Sequence, residues 1–429
     1  MFFQEGLVCR QRKELLEVLV QVESPFKAVD EGFDLMDGIR FPNRLTGNRA
    51  QLAAKALVKL AVLSLLLLGL PPLGVVLSGE SLAPYLEFPP VTRYVVQPPF
   101  SWTVFFLMLP LPLWAVWLFA AWFRRPPAAE AGYLKPARRP FPWWGKLGLV
   151  LLAGAWVLAW SRFPWFAPWQ PFTFSPLWVA YILIINALTY RRTGRCLLKD
   201  RTGYFLALFP LSAVFWWYFE YLNRFVQNWY YVGITSLGPL EYFLLATPPF
   251  ATVLPAVLST AEWLATFPFW GRPRAGFLAL RIGRPRAAAW AALLLAAPGL
   301  AGIGIWPQYL FPLLWLSPLV IIVSLQVLLG EETIFGGVKY GDWRSVLLPA
   351  AAGLFCGFFW EMWNYYSLAR WEYAVPFVHR FQIFEMPLLG YAGYLPFGLE
   401  CAVIADQLAR VWRQRVPAEK RAVVHEAVF

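Results

Sequence analysis

The chain has 429 residues, of which 59% are hydrophobic and 14% are charged, and its formal net charge is +12. This composition excludes an ordinary set of soluble domains, because long apolar runs with few charges are typical of multi-pass membrane proteins. The basic residues cluster in short loops and form no continuous stripe, which argues against a nucleic-acid partner. No nucleotide-binding glycine motif is present, and cysteine and histidine spacing predicts neither disulfides nor a metal site. We therefore predict no cofactor.

The N-terminal segment, residues 1–51, is predicted to be cytoplasmic and to contain an amphipathic helix at 7–22. Such a helix lies either in solvent or on the inner leaflet, and the sequence leaves both alternatives open. The first long apolar run begins near Leu52, which is too long and too late for a cleaved signal peptide. It is predicted to be an uncleaved membrane anchor.

Ten predicted spans have lengths of about 20 residues, which is enough to cross a hydrocarbon core. They lie at residues 53–77, 101–123, 145–161, 175–190, 204–222, 240–265, 287–304, 311–329, 346–366 and 385–409. Prolines in or near many spans predict kinks, whose freed backbone groups neighbouring helices can satisfy. The predicted fold is all-α, a polytopic membrane helical bundle.

The distribution of Lys and Arg predicts the orientation of this bundle. Thirty of these residues lie on one side of the predicted membrane and only five lie in the intervening loops. Because basic loops are retained in the cytoplasm, both termini are expected to be cytoplasmic in a multi-pass plasma (inner) membrane protein.

Residues 143–270 and 284–412 share an internal repeat with offsets of 141 to 144 residues. The matching pairs include Ser175 and Ser317, Glu220 and Glu361, Asn223 and Asn364, Trp229 and Trp371, Tyr231 and Tyr373, and Glu241 and Glu385. Each unit contains four spans, so the two copies have the same orientation and are expected to be related by a pseudo-two-fold axis along the membrane normal. With a two-span unit at 52–142 and a tail at 413–429, the architecture is two plus four plus four.

Carboxylates and carboxamides within these apolar runs are the candidate functional groups, because burying them in hydrocarbon is costly. Glu361 and Asn364 share one helix face, as do Glu220 and Asn223. The candidate acids are Glu220, Glu241, Glu361, Glu385 and Glu400. The candidate substrate-binding residues are Asn223, Asn364, Trp217, Trp229, Tyr231, Trp360, Trp363, Tyr365, Trp371 and Tyr373.

Structural alternatives exist for the same residues. The Trp and Tyr side chains also fit an aromatic belt at the membrane interface. Glu220 can pair with Arg224 one turn further along its helix, and Asn side chains can join helices. Glu400, with no basic residue nearby in sequence, is expected either to be a protonated acid or to bond a carbonyl freed by Pro396.

Two short motifs resemble known membrane enzymes. Residues 360–365, W-E-M-W-N-Y, resemble the W-E-x-x-Y segment of small fungal membrane terpene cyclases. The order Glu220, then Trp229-x-Tyr231, then Pro239-Leu240-Glu241 is similar to the duplicated three-span lycopene cyclase domain and its carotenoid hydratase relatives. These resemblances imply acid roles for four carboxylates, namely Glu220, Glu241, Glu361 and Glu385. Unlike that group, this chain has Tyr242 after Glu241 and a fourth span in each unit.

The preferred functional prediction is an intramembrane enzyme that protonates a lipid-soluble, isoprenoid- or carotenoid-type substrate, as a cyclase or hydratase does. Its expected partners are membrane lipids and a hydrophobic small molecule. A proton- or cation-coupled transporter is the second prediction, because parallel repeats and membrane carboxylates also suit a carrier. A non-catalytic membrane scaffold is the third, in which the aromatic residues form only the interfacial belt.

Overall fold

The structure, a computed structural model, describes residues 43–127, 137–234, 237–274 and 276–415, with the backbone alone at 43–55 and 413–415. The predicted helix at 7–22 and nearly all of the predicted C-terminal tail lie outside these residues. The chain divides into two compact units, residues 1–60 and 61–429. The first unit includes the beginning of helix α1, and all the other elements described below lie within the second.

The described chain is mostly helical. Its helices of seven or more residues are α1 (Asn43–Leu77), α2 (Trp102–Met108), α3 (Pro110–Arg124), α4 (Trp143–Trp160), α5 (Phe174–Thr193), α6 (Thr202–Val226), α7 (Pro239–Phe250), α8 (Val253–Ala265), α9 (Pro285–Gly302), α10 (Leu313–Leu328), α11 (Arg344–Tyr365) and α12 (Tyr394–Arg415). Single-turn helices lie at Leu197–Asp200, Pro268–Gly271 and Pro307–Leu310, and 3₁₀ turns lie at Ala83–Tyr85, Pro164–Phe172, Val338–Tyr340 and Leu388–Gly393.

Two helix breaks lie at prolines for which the sequence predicts kinks, whereas other such prolines lie within uninterrupted helices, namely Pro71, Pro210, Pro298 and Pro349. Pro110 begins α3 directly after the break that ends α2, and Pro248 and Pro249 precede the end of α7. A proline removes one backbone donor and its ring clashes with the preceding turn, so the helix ends or bends nearby. The span predicted at 240–265 is accordingly formed by two helices, α7 and α8.

Seven helical segments of the described chain are long and apolar enough to cross a membrane, and an eighth is obtained if the bent pair Pro164–Phe172 and Phe174–Thr193 forms one span. All eight coincide with predicted spans. The spans predicted at 287–304 and 311–329 coincide with α9 and with the shorter apolar helix α10, which are not among the eight. The chain is thus a multi-pass helical membrane protein, and its total of ten spans remains a prediction.

Helices pair locally and then meet around a common core. Helix α4 packs on α5, α9 on α10 and α11 on α12, while α8 lies against α5, α6 and α11. Small residues allow the closest of these contacts, since a Cβ at Gly398 would lie 2.0 Å from the Pro349 carbonyl oxygen. The core between these helices is built of aromatic rings, with Trp178, Phe219, Trp363 and Phe397 fully buried. These contacts hold the connecting strands in place.

Four short strands are an addition to the predicted all-α fold. Strand β1 (Trp229–Val232) pairs antiparallel with β2 (Arg370–Tyr373), and the short β3 (Gln382–Ile383) pairs with β4 (Met386–Pro387). In the first sheet Trp229 is opposite Tyr373, and Tyr231 is opposite Trp371. The two W-x-Y segments are therefore main-chain partners of one another, which an interfacial aromatic belt alone does not predict. We call this end of the helix bundle the strand end.

Candidate functional site

An aromatic cavity of about 410 Å³ lies where the two strands meet the helices. Both strands contribute to its wall, together with side chains of α3, α6, α7, α10, α11 and α12. The aromatic lining residues are Phe119, Trp114, Phe174, Trp216, Trp229, Tyr231, Tyr242, Phe250, Phe311, Trp315, Trp360, Trp371, Tyr373 and Tyr394. The volume falls in the range that takes a small-molecule ligand.

Glu361 is fully buried on α11 and is held by two tyrosines of the cavity wall. Its Oε1 atom accepts hydrogen bonds from the hydroxyls of Tyr373, at 2.7 Å, and Tyr394, at 2.5 Å. The Trp371 indole donates to the Tyr373 hydroxyl at 2.8 Å. The Oε2 atom has no hydrogen-bonding partner in the described part of the chain. The carboxyl group thus lies behind the wall and reaches the cavity through tyrosine hydroxyls.

Glu220 on α6 has a closely similar environment. Its Oε1 atom accepts from the Trp216 indole at 3.0 Å, the Trp229 indole at 3.1 Å and the Tyr231 hydroxyl at 2.6 Å. All three donors line the cavity, and Oε2 again has no partner among the described residues. The alternative pairing with Arg224 is not formed, since that guanidinium donates to the Glu87 carbonyl oxygen at 2.6 Å.

Asn223 and Asn364 hold the two strands and do not line the cavity. The Asn364 amide donates to the Trp371 carbonyl at 2.7 Å and accepts from the Trp371 N–H at 2.8 Å. Asn223 donates to the Trp229 carbonyl at 2.7 Å and to Thr92, and accepts from the backbone N–H of Asn228 at 2.8 Å. Each Asn therefore holds one strand in place. The Tyr of that strand bonds the Glu that precedes the Asn by one turn on its helix.

The two carboxyl sites obtain one of their donors in different ways. A Cβ at Gly357 would lie 2.4 Å from the Tyr394 ring, so the absent side chain leaves the space that this ring fills. At the position 141 residues earlier stands Trp216, whose indole bonds Glu220, and at the position 144 residues before Tyr394 stands Phe250. The Glu361 site thus combines Gly357 with Tyr394, and the Glu220 site combines Trp216 with Phe250. In each pair one residue donates a hydrogen bond to the carboxyl.

Glu400 is buried on α12 but does not line the cavity. It lies near the backbone of Leu319 and within electrostatic reach of the Tyr218 hydroxyl. Neither of its carboxyl oxygens, nor that hydroxyl, forms a hydrogen bond of ordinary geometry with another described residue. The expected bond to a carbonyl near Pro396 is therefore not formed. Glu400 is a separate buried polar group on the far side of α12.

Glu241 lies in the first turn of a candidate span, and Glu385 lies just before another. The Glu241 carboxylate accepts from the Gly238 N–H at 2.9 Å, caps the first turn of α7 and is exposed. Glu385 is half-buried beside β4, and burial, followed by the negative charge of Glu372, raises its pKa. Neither lines the cavity, so the structure does not bring these two candidate acids together with Glu220 and Glu361.

An ion pair lies at the centre of the β1–β2 sheet. Arg370 contacts Glu372 at 2.6 Å, and the Tyr230 hydroxyl donates to the same carboxylate at 2.8 Å. Burial and this hydrogen bond raise the pKa of Tyr230 to about 12. Because Tyr230 is directly opposite Glu372 in the register, the two strands are joined by side chains as well as by their backbones.

Five of the predicted substrate-binding residues line the cavity: Trp229, Tyr231, Trp360, Trp371 and Tyr373. The other three aromatic candidates lie elsewhere. Trp217 donates to Thr247 at 3.0 Å, Trp363 is buried among Trp156 and Trp178, and Tyr365 packs on Tyr366. Sequence reasoning did not include Tyr394 or Trp315. The signal for Tyr394 was Gly357, which lies 141 residues after Trp216 in the predicted repeat.

The described residues contain no group of three His, Cys, Asp or Glu side chains that could hold a metal ion. No protein-family model, curated protein or solved structure shows a significant match to this chain. Interpretation of the site therefore rests on its own chemistry: two buried carboxyls, each joined through tyrosine to one aromatic cavity.

Proposed function

We propose that this protein is an intramembrane enzyme that protonates a carbon–carbon double bond of a lipid-soluble, isoprenoid-type substrate and resolves the cation by cyclisation or hydration. The supporting observation is the pair of carboxyl–tyrosine contacts at the wall of one aromatic cavity. Tyrosine hydroxyls can donate and accept at once, so they can pass a proton between a buried carboxyl and a bound molecule.

The enzyme crosses the plasma membrane ten times, as two plus four plus four spans, with both termini in the cytoplasm. The antiparallel register of β1 and β2 supports the repeat. Tyr230 pairs with Glu372, 142 positions later, and on either side of this pair Trp229 is opposite Tyr373 and Tyr231 is opposite Trp371. This is the pattern that a two-fold axis through the sheet produces. In secondary transporters with internal repeats, the substrate site lies where the repeats meet.

Glu361 and Tyr394 act as the acid. Before this step the proton of Glu361 lies on Oε1, so the hydrogen bond runs from Glu361 to the Tyr394 oxygen and the Tyr394 O–H points to the substrate, the reverse of the arrangement with an ionised Glu361. Glu361 gives its proton to the Tyr394 oxygen while the Tyr394 O–H proton moves to one carbon of the substrate double bond. The π electron pair of the double bond forms the new C–H bond and leaves the neighbouring carbon cationic. Glu361 is then ionised and Tyr394 is unchanged. The contact of 2.5 Å between the two groups is short enough for this transfer.

Glu220 and Tyr231 act as the base. In this cycle Glu220 is the carboxyl that starts ionised, and it accepts hydrogen bonds from Trp216, Trp229 and Tyr231. In cyclisation, a second double bond of the substrate donates its π electrons to the cation, and a neighbouring C–H proton passes to Tyr231 as its own proton moves to Glu220. In hydration, a water molecule adds to the cation and loses its proton by the same route. The proton returns to Glu361 before the next cycle.

The cavity wall provides the environment that a carbocation requires. Trp315, Trp360 and Trp371 present ring systems to the cavity, and the negative faces of such rings attract cations. The wall further from the strands is apolar among the described residues, which favours a greasy substrate over the hydrophilic path of a cation carrier. This pattern is the reason for preferring the enzyme over the transporter.

The test is mass spectrometry of lipids from cells that express the wild type, Glu361→Gln or Glu220→Gln at equal levels. Glu332→Gln, in an exposed loop, is the matched control. A neutral lipid product formed by the wild type and the control is expected to fall by about 100-fold or more in the two site variants. Identical lipid profiles in all four strains would contradict the proposed reaction.

A further inference from the structure

The cavity is elongated along helix α11. It touches Trp360 near the strand end and Ala350, Leu347 and Val346 near the other end of the same helix. Fourteen residues separate Val346 from Trp360, which corresponds to ~21 Å of helix rise. One leaflet of a bilayer contains about 15 Å of hydrocarbon. The cavity is therefore longer than the acyl region of a single leaflet.

Polar and apolar lining groups lie at different ends of this cavity. Tyr231, Tyr373 and Asn228 lie at the strand end, where the buried carboxyls also are. The far end is lined by Leu118, Phe119, Leu319, Val346, Leu347 and Leu399, none of which has a polar atom in its side chain. A ligand of matching shape has a reactive group at one end and a plain hydrocarbon chain at the other.

Helix α3 separates the cavity from the exterior of the bundle by a single layer of side chains. Leu111 and Trp114 line the cavity, whereas Leu113, Val116 and Trp117 of the same helix do not line it and are 56%, 65% and 54% exposed. In a membrane those exposed surfaces face lipid, so a chain dissolved in the bilayer reaches the cavity by passing α3. The break between α2 and α3 at Leu109 lies beside this wall.

We infer that the cavity binds one long, linear, unsaturated hydrocarbon chain lengthwise, with its reacting double bond at the strand end, and that Ala350 sets the greatest chain length accepted. This inference rests on the proposed function and names its substrate class. Ala350 is 6% exposed and presents a single methyl group to the cavity one helical turn from Val346 and Leu347, so a larger residue there shortens the space available. The strand end, with its acid and base, is unchanged by that substitution.

The experiment measures retention of all-trans polyprenols of increasing length, beginning with farnesol, by purified full-length protein in native mass spectrometry. Ala350→Phe is compared with Ala153→Phe, which adds the same ring on the exposed side of α4. We expect Ala350→Phe to retain farnesol like the wild type and to lose the longest polyprenol by about tenfold, or ~1.4 kcal/mol. Ala350→Leu, a smaller change that preserves folding more easily, is expected to give an intermediate limit.

The outcomes separate this inference from the reaction. Equal length profiles for Ala350→Phe, Ala350→Leu and Ala153→Phe would overturn the role of Ala350, and failure of the wild type to retain any polyprenol would overturn the chain-binding cavity. A length limit that shifts with residue 350 supports the inference even if no lipid product is formed. In that case the proposed protonation reaction is rejected, and binding of a long hydrocarbon chain in the cavity is retained.

Discussion

The two carboxyl sites, one around Glu220 and one around Glu361, reach nearly the same hydrogen-bonding pattern with different side chains. In both, a Tyr two residues after a Trp donates to Oε1, and an Asn three residues after the Glu holds the strand. They differ in two donors. The Trp216 indole beside Glu220 is replaced by the Tyr394 hydroxyl beside Glu361, and the Trp229 indole bonds Glu220 directly whereas the Trp371 indole bonds the Tyr373 hydroxyl.

Comparison of the two sites shows that both keep a hydrogen-bond donor to the carboxyl oxygen, although different residues supply it. If the aromatic rings served only to fill space, Trp216 with Phe250 and Gly357 with Tyr394 would be interchangeable by volume alone. Both combinations instead place a donor on the carboxyl oxygen, although from opposite sides of the helix pair. The retained feature is a carboxyl with several donors on Oε1 and none on Oε2.

The largest expected effect comes from converting the first site to the second. Trp216→Gly removes a large, half-buried ring and one donor, so we expect a loss of about 3 kcal/mol in the free energy of unfolding. Adding Phe250→Tyr supplies the new donor and fills part of the space, and is expected to recover a measurable part of that loss. Thermal unfolding in detergent checks this.

Phe250→Tyr alone is the control for that experiment. With Trp216 still present the added hydroxyl has no vacant space beside Glu220, so this single change is expected to be neutral or destabilising. If the double variant is no more stable than Trp216→Gly, the two donors are not equivalent and the comparison fails.

The next effect distinguishes the two asparagines. Asn223→Ala breaks contacts with Thr92, Trp229 and Asn228, whereas Asn364→Ala breaks only those with Trp371. Each buried backbone group left without a partner costs about 1–3 kcal/mol. We expect both variants to be destabilised, with Asn223→Ala the more affected in thermal unfolding. The reverse order would show that strand β2 is the more important of the two.

Sequence spacing predicted which residues lie together in this arrangement, but not which groups their side chains contact. The three-residue spacing of Glu361 and Asn364 placed both on one helix face, and the repeat linked them to Glu220 and Asn223. Spacing cannot tell a side chain that faces a ligand from one that faces a backbone, so the asparagines were predicted to bind substrate when they hold Trp371 and Trp229. Tyr394 was missed because its place depends on Gly357, which is 37 residues away.

A smaller effect tests Glu400, which has Ala256 as its counterpart 144 residues earlier. Both carboxyl oxygens of Glu400 lack hydrogen bonds of ordinary geometry among the described residues, and replacing such a group by an apolar side chain of similar size is neutral or stabilising. We expect Glu400→Met to raise the unfolding free energy by about 1 kcal/mol. A destabilised variant would instead show that Glu400 has a partner whose loss is costly.

The smallest effect concerns the connection after each strand, which is short after β1 and much longer after β2. The longer connection contains His379, whose Nδ1 accepts a long hydrogen bond, at 3.5 Å, from the Val375 N–H and whose pKa is lowered by burial. Because the folded state binds a proton on His379 less readily than the unfolded state, the folded state is favoured most above pH 6.5, the ordinary pKa of histidine. This contribution to stability is lost as the pH falls. Glu385, with a raised pKa, acts in the opposite sense, because its folded form binds a proton more readily.

These opposite signs make the contribution of His379 measurable. Between about pH 8 and pH 5, the wild-type connection at 374–393 is expected to become more susceptible to proteolysis as His379 is protonated. His379→Gln keeps a polar side chain that does not titrate, so it should remove this loss and leave only the opposing effect of Glu385. The β1 connection, which has no histidine, is the internal reference and should not change with pH. If the variant and the wild type share the same pH dependence, the titrating group is not His379, and the difference between the two connections is one of length alone.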